Sequence, residues 1–188
     1  MRHDITLDTH ITDVVNVFKW ENIENAVLCG HSYGGWPISG AIEQVLPQVA
    51  SIVFLDAFVP RDGQTGLDVA SATGREAIER ALKEGAVSRP APTAESFNVN
   101  PKDRAWVDAK MTPQPLGVST QNIRLTGARE RVPKKAYVRA TNFQNPTFDA
   151  FFAEAKAKAG WRTFAVSSGH DVMVDEPDQL TKILLDAA

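Results

Sequence analysis

The 188-residue chain is 43% hydrophobic and 23% charged, with 20 Lys and Arg against 23 Asp and Glu for a formal net charge of −3. That balance supports one domain with a real core and excludes global disorder, and it lacks the basic stripe of a nucleic-acid binder. One Cys excludes an internal disulfide framework, and no apolar run approaches the roughly 18 residues of a membrane span or follows Met1-Arg2-His3-Asp4 as a secretory core. The expectation is a cytoplasmic globular protein with neither a nucleic-acid nor a membrane partner.

Leu7–Trp20 reads as a helix, because Ile11, Val14, Val15 and Phe18 recur at i, i+3, i+4, i+7 and Thr6 or Asp8 can cap it. Two continuous apolar runs follow, Ala26–Cys29 and Ser51–Leu55, as expected of strands buried on both faces of a parallel sheet. Gly34–Leu46 between them reads as a helix stopped near Pro47, completing a βαβ unit. From Pro60 to Pro133 the pattern is interrupted by Pro90, Pro92, Pro101, Pro113 and Pro115, and only Gly74–Glu84 and Asp103–Met111 look helical. Periodicity returns with a strand at Lys135–Ala140 and a helix at Thr147–Ala159 ending at Gly160. A strand at Trp161–Val166 and a helix at Asp178–Ala187 close the chain. The order α-β-α-β-(insertion)-β-α-β-α implies an α/β fold with at least four parallel strands.

Gly30-His31-Ser32-Tyr33-Gly34 fits the G-x-S-x-G pattern and lies straight after a strand and before a helix. A sharp strand-to-helix turn would project the Ser32 hydroxyl above the sheet as a nucleophile. The Tyr33 amide, at the helix N-terminus, would face the charge on an attacked carbonyl as oxyanion donor. Gly30 and Gly34 are both expected to be small to avoid neighbouring backbone. Pro37 falls in the first turn, where its missing N–H costs nothing. Cys29, one residue before the elbow, reads as a buried small side chain rather than a rival nucleophile.

A serine hydroxyl needs a base. Of His3, His10, His31 and His170, only His170 directly follows the last strand, and parallel strands bring their carboxyl ends together. His31 is expected to point away from the hydroxyl. No His pair has metal-ligand spacing, so neither a metal nor any other cofactor is expected.

An α/β scaffold carrying Ser32 and then His170 resembles the α/β-hydrolase superfamily. Gly30–Gly35, Leu55-Asp56-Ala57-Phe58-Val59-Pro60 and Ser168-Gly169-His170-Asp171-Val172-Met173 look like its branch of small bacterial carboxylesterases, similar to plant methylesterases and hydroxynitrile lyases. The resemblance covers the chain from Leu7 onward. It implies a hydrolase core over 1–59 and 134–188 and a cap insertion over 60–133. Plant-type relatives carry their acid after the strand matching Lys135–Ala140, where Thr141–Asn145 holds no carboxylate. Asp56, at the end of the strand beside the nucleophile strand, is the favoured acid, with Asp149 and Asp171 as weaker candidates.

The resemblance makes the insertion a cover over the site. Phe58, Phe97, Trp106 and Met111, with Trp36 from the elbow helix, are candidate substrate-binding residues for a small hydrophobic ester. Each could equally pack a small core of its own. The leading expectation is a serine hydrolase working through an acyl-enzyme. The alternatives are an impaired or truncated hydrolase-fold ligand-binding protein and, more remotely, a hydroxynitrile lyase. Asp171 and Val172 stand where such lyases keep a lysine beside the histidine. Relatives place strands and an oxyanion loop ahead of the helix matching Leu7–Trp20, so the chain is expected to be shortened at its N-terminus. The Tyr33 amide would then be the one evident donor, and Ala26–Cys29 an open sheet edge inviting a homo-oligomer.

Overall fold

The apolar runs of the sequence form one parallel sheet flanked by helices in the computed structural model, which describes residues 5–188. The first four residues of the expected 1–59 core, His3 among them, lie outside the described residues. In chain order, α1 (Leu7–Trp20), β1 (Ala26–His31), α2 (Gly35–Val45) and β2 (Val49–Leu55) come first. The segment that follows holds α3 (Gly66–Val69), α4 (Ala72–Lys83), β3 (Ser88–Arg89), α5 (Arg104–Lys110), β4 (Gln114–Pro115), α6 (Gly117–Thr120) and α7 (Ala128–Arg131). Then β5 (Lys134–Ala140), α8 (Pro146–Ala157), β6 (Trp161–Val166), α9 (Val172–Asp175) and α10 (Pro177–Ala187) complete the chain.

The main sheet has the order β1-β2-β5-β6, and every neighbouring pair is parallel. The register pairs His31 with Leu55, Leu55 with Val138 and Ala140 with Val166. The carboxyl ends of all four strands therefore open on one edge, where chemistry collects in an open parallel sheet. β3 and β4 form a separate two-residue antiparallel ladder.

Side chains alternate between two cores. Ile52 and Phe54 face a cluster with Phe18, Ile38, Ile42, Val45, Tyr137 and Ala155, beneath α1, α2 and α8. Val53 and Leu55 face the other way, against Leu180, Ile183 and Ala187 of α10. Burial on both sides is why β2 reads as unbroken apolar sequence. β1 has a strand on one side only among the described residues, and the correction concerns its Cys29, which is exposed rather than buried. At an edge, the strand lacks the covering neighbour that buries the equivalent positions of β2.

Helix ends follow their local chemistry. The Asn145 side chain accepts from the Thr147 and Phe148 amides and Pro146 opens α8, so its first turn is capped and firmly placed. Gly85 takes the left-handed conformation (φ 75°) just past the cap of α4, the stop that the sequence signals, whereas α8 ends at Ala157 with Lys158 extended, ahead of the expected stop at Gly160.

Candidate active site

Strand β1 runs without a break into a single 3-10 turn, Ser32–Gly34, which feeds α2. Ser32 itself has φ +52°, a conformation that costs a non-glycine residue about 1–2 kcal/mol. The turn survives because its surroundings fix it. The Ser32 carbonyl accepts from the Phe58 amide at 3.1 Å and from the Gly35 amide.

A Cβ on Gly30 would lie 2.6 Å from the Gly34 oxygen, as the elbow requires. At Gly34 the expectation is corrected, because a Cβ there meets nothing within 4 Å and its φ of −53° is ordinary helix. The steric demand moves one residue on. A Cβ on Gly35 would lie 1.9 Å from the Phe58 oxygen, so α2 packs directly on the backbone following β2. Tyr33 occupies the first turn after the strand, where amides have no intrahelical partner. Its phenol bonds His10 Nδ1 at 3.0 Å, and burial pushes the phenol's pKa up.

Asp56 follows β2 and is fully buried, with φ +42°. Its amide donates to the Val138 carbonyl at 2.7 Å, pinning it to β5. His170 Nδ1 lies 2.7 Å from Asp56 Oδ2, while Asp56 Oδ1 accepts from Arg139 Nη1 at 2.7 Å and from the Ala140 amide at 3.1 Å. Asp149 instead pairs with Arg139, and Asp171 lies 3.7 Å from His31 Nε2. Burial, the first cause, and the neighbouring Asp175 raise the Asp171 carboxyl, against the pull of His170.

His170 is 1% exposed and sits in a cage of rings. Phe148 stacks on it (centroids 5.6 Å, 18°), Phe143 lies 4.6 Å away, Phe97 4.9 Å and His31 4.4 Å. Its amide donates to the Phe97 carbonyl at 2.8 Å, and a Cβ on Gly169 would lie 2.1 Å from the Asn98 oxygen. The histidine loop and the segment around Phe97 thus pack backbone to backbone. Asp175 fastens them: Oδ2 accepts from the Gly169 amide, and Oδ1 accepts from the Asn100 amide and side chain.

His31 Nε2 donates to the His170 carbonyl at 3.0 Å. Burial and the charge of a protonated His170 lower its pKa to about 3, so at neutral pH it is an uncharged donor beside the base. Among the described residues no hydrogen bond joins Ser32 Oγ to His170. Such bonds are often long before substrate binds.

A model of the alpha/beta hydrolase family matches residues 2–183. The chain belongs to that family. This alpha/beta hydrolase is 33% identical to a carbendazim hydrolyzing esterase from Nocardioides sp. (strain SG-4G), over 96% of this chain and 78% of the relative. It is 28% identical to putative methylesterase 14, chloroplastic, of Arabidopsis thaliana, over 88% of this chain and 52% of the plant protein, about half its length. Among solved structures, it resembles an extracellular alpha/beta-hydrolase from a Paenibacillus species with a TM-score of 0.82 and 21% identity, covering 100% of this chain and 81% of that one.

Of the residues singled out by sequence in this alpha/beta hydrolase, Asp56, His170 and Phe97 meet directly, and Ser32 and Tyr33 lie at the same strand-end edge. Phe58 supports the elbow through its backbone and sets its ring edge-on to Phe148 at 4.9 Å. Trp36 is 2% exposed in a core cluster with Leu7, Ile11, Ala41 and Ile123, so packing accounts for it. Met111 packs with Phe97 against Ala94, Val99 and Val107, whereas Trp106 is 59% exposed. Sequence reasoning missed Arg139, Phe143, Phe148 and Asp175. Arg139 alone left a signal, a charge inside the run Ala136-Tyr137-Val138-Arg139-Ala140.

Proposed function

We propose that this chain is a serine esterase that cleaves a small, mostly hydrophobic carboxylic ester through an acyl-enzyme. The observation carrying this reading is the buried Asp56–His170 hydrogen bond of 2.7 Å, at the sheet edge where Ser32 occupies a strained elbow. The 33% identical esterase and the plant methylesterase support an ester as the substrate class.

In this mechanism Ser32 Oγ attacks the ester carbonyl while His170 Nε2 takes its proton. Asp56, already bonded to Nδ1, orients the ring and stabilises the imidazolium. The Tyr33 amide bonds the oxyanion of the tetrahedral intermediate. Collapse expels the alkoxide, which leaves as the alcohol with the proton from His170. His170 then activates a water that attacks the acyl-enzyme and releases the acid with Ser32 restored. The residues between 60 and 133 act as a cap, and the rings around His170 keep bulk water from the intermediate.

Hydrolysis of p-nitrophenyl acetate and butyrate, with mass-spectrometric mapping of a fluorophosphonate adduct, tests the reading. Turnover with the label on Ser32, both lost in Ser32→Ala, is expected. A folded protein that neither turns over ester nor takes the label would overturn the esterase reading.

A further inference from the structure

Arg139 closes β5 as a guanidinium that is only 3% exposed. Every arm of it is used. Nη1 donates to Asp56 Oδ1 at 2.7 Å and to the Ala140 carbonyl at 2.5 Å. Nη2 donates to the Phe143 carbonyl at 2.6 Å, and Nε to Asp149 Oδ1 at 2.8 Å. One planar side chain therefore joins the buried acid, the loop that carries Phe143 and the first turn of α8. These are the pieces that surround His170, since Phe143 and Phe148 both lie against its ring.

The division of the carboxylate matters most. Asp56 gives Oδ2 to His170 and Oδ1 to Arg139 and the Ala140 amide. A carboxylate held at both oxygens cannot rotate, so the direction of the acceptor facing Nδ1 is fixed before substrate arrives. Without Arg139, Oδ1 would keep only the Ala140 amide among the described residues. The Phe143 carbonyl would also lose its donor, freeing a ring of the cage.

We propose that Arg139 is a positioning residue that holds the Asp56–His170 pair and its aromatic cage in one working geometry. It acts through Asp56 and Phe143, with no contact of its own to the reacting atoms. The inference rests on the esterase reading for its kinetic consequences but not for its structural one. Asp149 is the minor arm, because its side chain is 64% exposed and solvent weakens the pair.

The test uses Arg139→Ala and Arg139→Lys, with Asp149→Asn as the control, in the full chain. Arg139→Ala is expected to lose about 10²-fold in kcat, the scale of a misplaced catalytic group, with KM held within about threefold. Millimolar guanidinium chloride should restore about tenfold of that loss, while leaving Asp56→Ala inactive. Asp149→Asn should stay within about twofold of wild type.

Proton NMR of the His170 Nδ1–H supplies the readout that needs no ester turnover. Its hydrogen-bonded, downfield resonance should shift upfield in Arg139→Ala and return with guanidinium. If the wild type hydrolyses no ester, the esterase reading falls while this resonance still judges Arg139. If alanine prevents folding, Arg139→Lys takes its place, since it keeps the charge but cannot span Asp56 and Phe143, and the same loss in kcat and shift in resonance are expected. A folded variant with wild-type kcat, or with an unmoved Nδ1–H resonance, would overturn the proposal.

Discussion

Asp56 Oδ2 and His170 Nδ1 stand 2.7 Å apart although 114 positions separate the two residues in the chain. The sheet order brings them together. β2 ends at Leu55, β5 lies between it and β6, and the loop after β6 folds back across the strand ends. Asp56→Asn keeps the shape of the site but swaps a carboxylate for an amide that cannot stabilise an imidazolium. Turnover on aryl esters should fall by about 10⁴-fold in kcat, and the unfolding midpoint should fall as well, because the buried Arg139 guanidinium loses its charged partner at Asp56. Asp171→Asn should retain most activity, because its carboxylate faces His31 rather than His170 Nδ1. Steady-state kinetics on the two variants decides which acid serves the base.

The elbow's two adjacent glycines should respond in opposite ways to alanine. At Gly35 a methyl group would lie 1.9 Å from the Phe58 carbonyl oxygen, and neither backbone can withdraw without breaking the Phe58–Ser32 bond. Gly35→Ala should cost about 1–3 kcal/mol, the range for overpacking. Gly34 has open space and a helical φ, so Gly34→Ala should be neutral or stabilise by about 0.4–1 kcal/mol through the unfolded chain. Urea unfolding of the two variants separates these outcomes directly.

Those glycines also mark how far the sequence can be read. Strand β2 was legible because burial on both faces leaves an unbroken apolar run, and Leu7–Trp20 and Trp161–Val166 match helix α1 and strand β6 residue for residue. Ser32 and Asp56 were legible because each sits immediately after a strand, and His170 because it lies in the short loop after the last strand, all local features. Of the two readings open for Trp36, packing is the one its burial supports. In α2 its side chain turns into the packing between α1 and α2. Arg139 and Asp175 were illegible in role for a different reason. Each draws its meaning from partners on other elements, Asp56 at the end of β2 and Asn100 in the segment before α5, and no local pattern encodes that meeting.

Asp175 fastens the segment holding Phe97 to the histidine loop with three accepted hydrogen bonds. Asp175→Ala leaves the Asn100 and Gly169 amides without that acceptor, and hydrogen bonds to a charged group contribute about 1.5–3 kcal/mol each at most. The loss should be local first. Limited proteolysis within 90–111 should accelerate in Asp175→Ala before the global unfolding midpoint falls by a comparable amount. Unchanged cleavage of that segment would show that the ring contacts of Phe97 alone secure it.

His31 gives the fold a pH dependence whose sign follows from its displaced pKa. Its ordinary value is 6.5, and burial, with the charge of His170 second, lowers it to about 3 in the folded protein. Between those values the unfolded chain binds a proton that the folded chain refuses. Stability is therefore fully present above about pH 6.5 and is lost as pH falls toward 3, by up to about 1.4 kcal/mol per pH unit. Asp171 works against this near its own ordinary value of 3.8, because a raised carboxyl favours the fold where it is protonated. His31→Gln keeps a donor for the His170 carbonyl but has no proton to refuse. Urea unfolding at pH 4, 5, 6 and 7 should show a steep rise for the wild type and a shallower one for His31→Gln, the two curves parting most at pH 4. Parallel curves across that range would mean that His31 takes up its proton in the folded protein as readily as in the unfolded one.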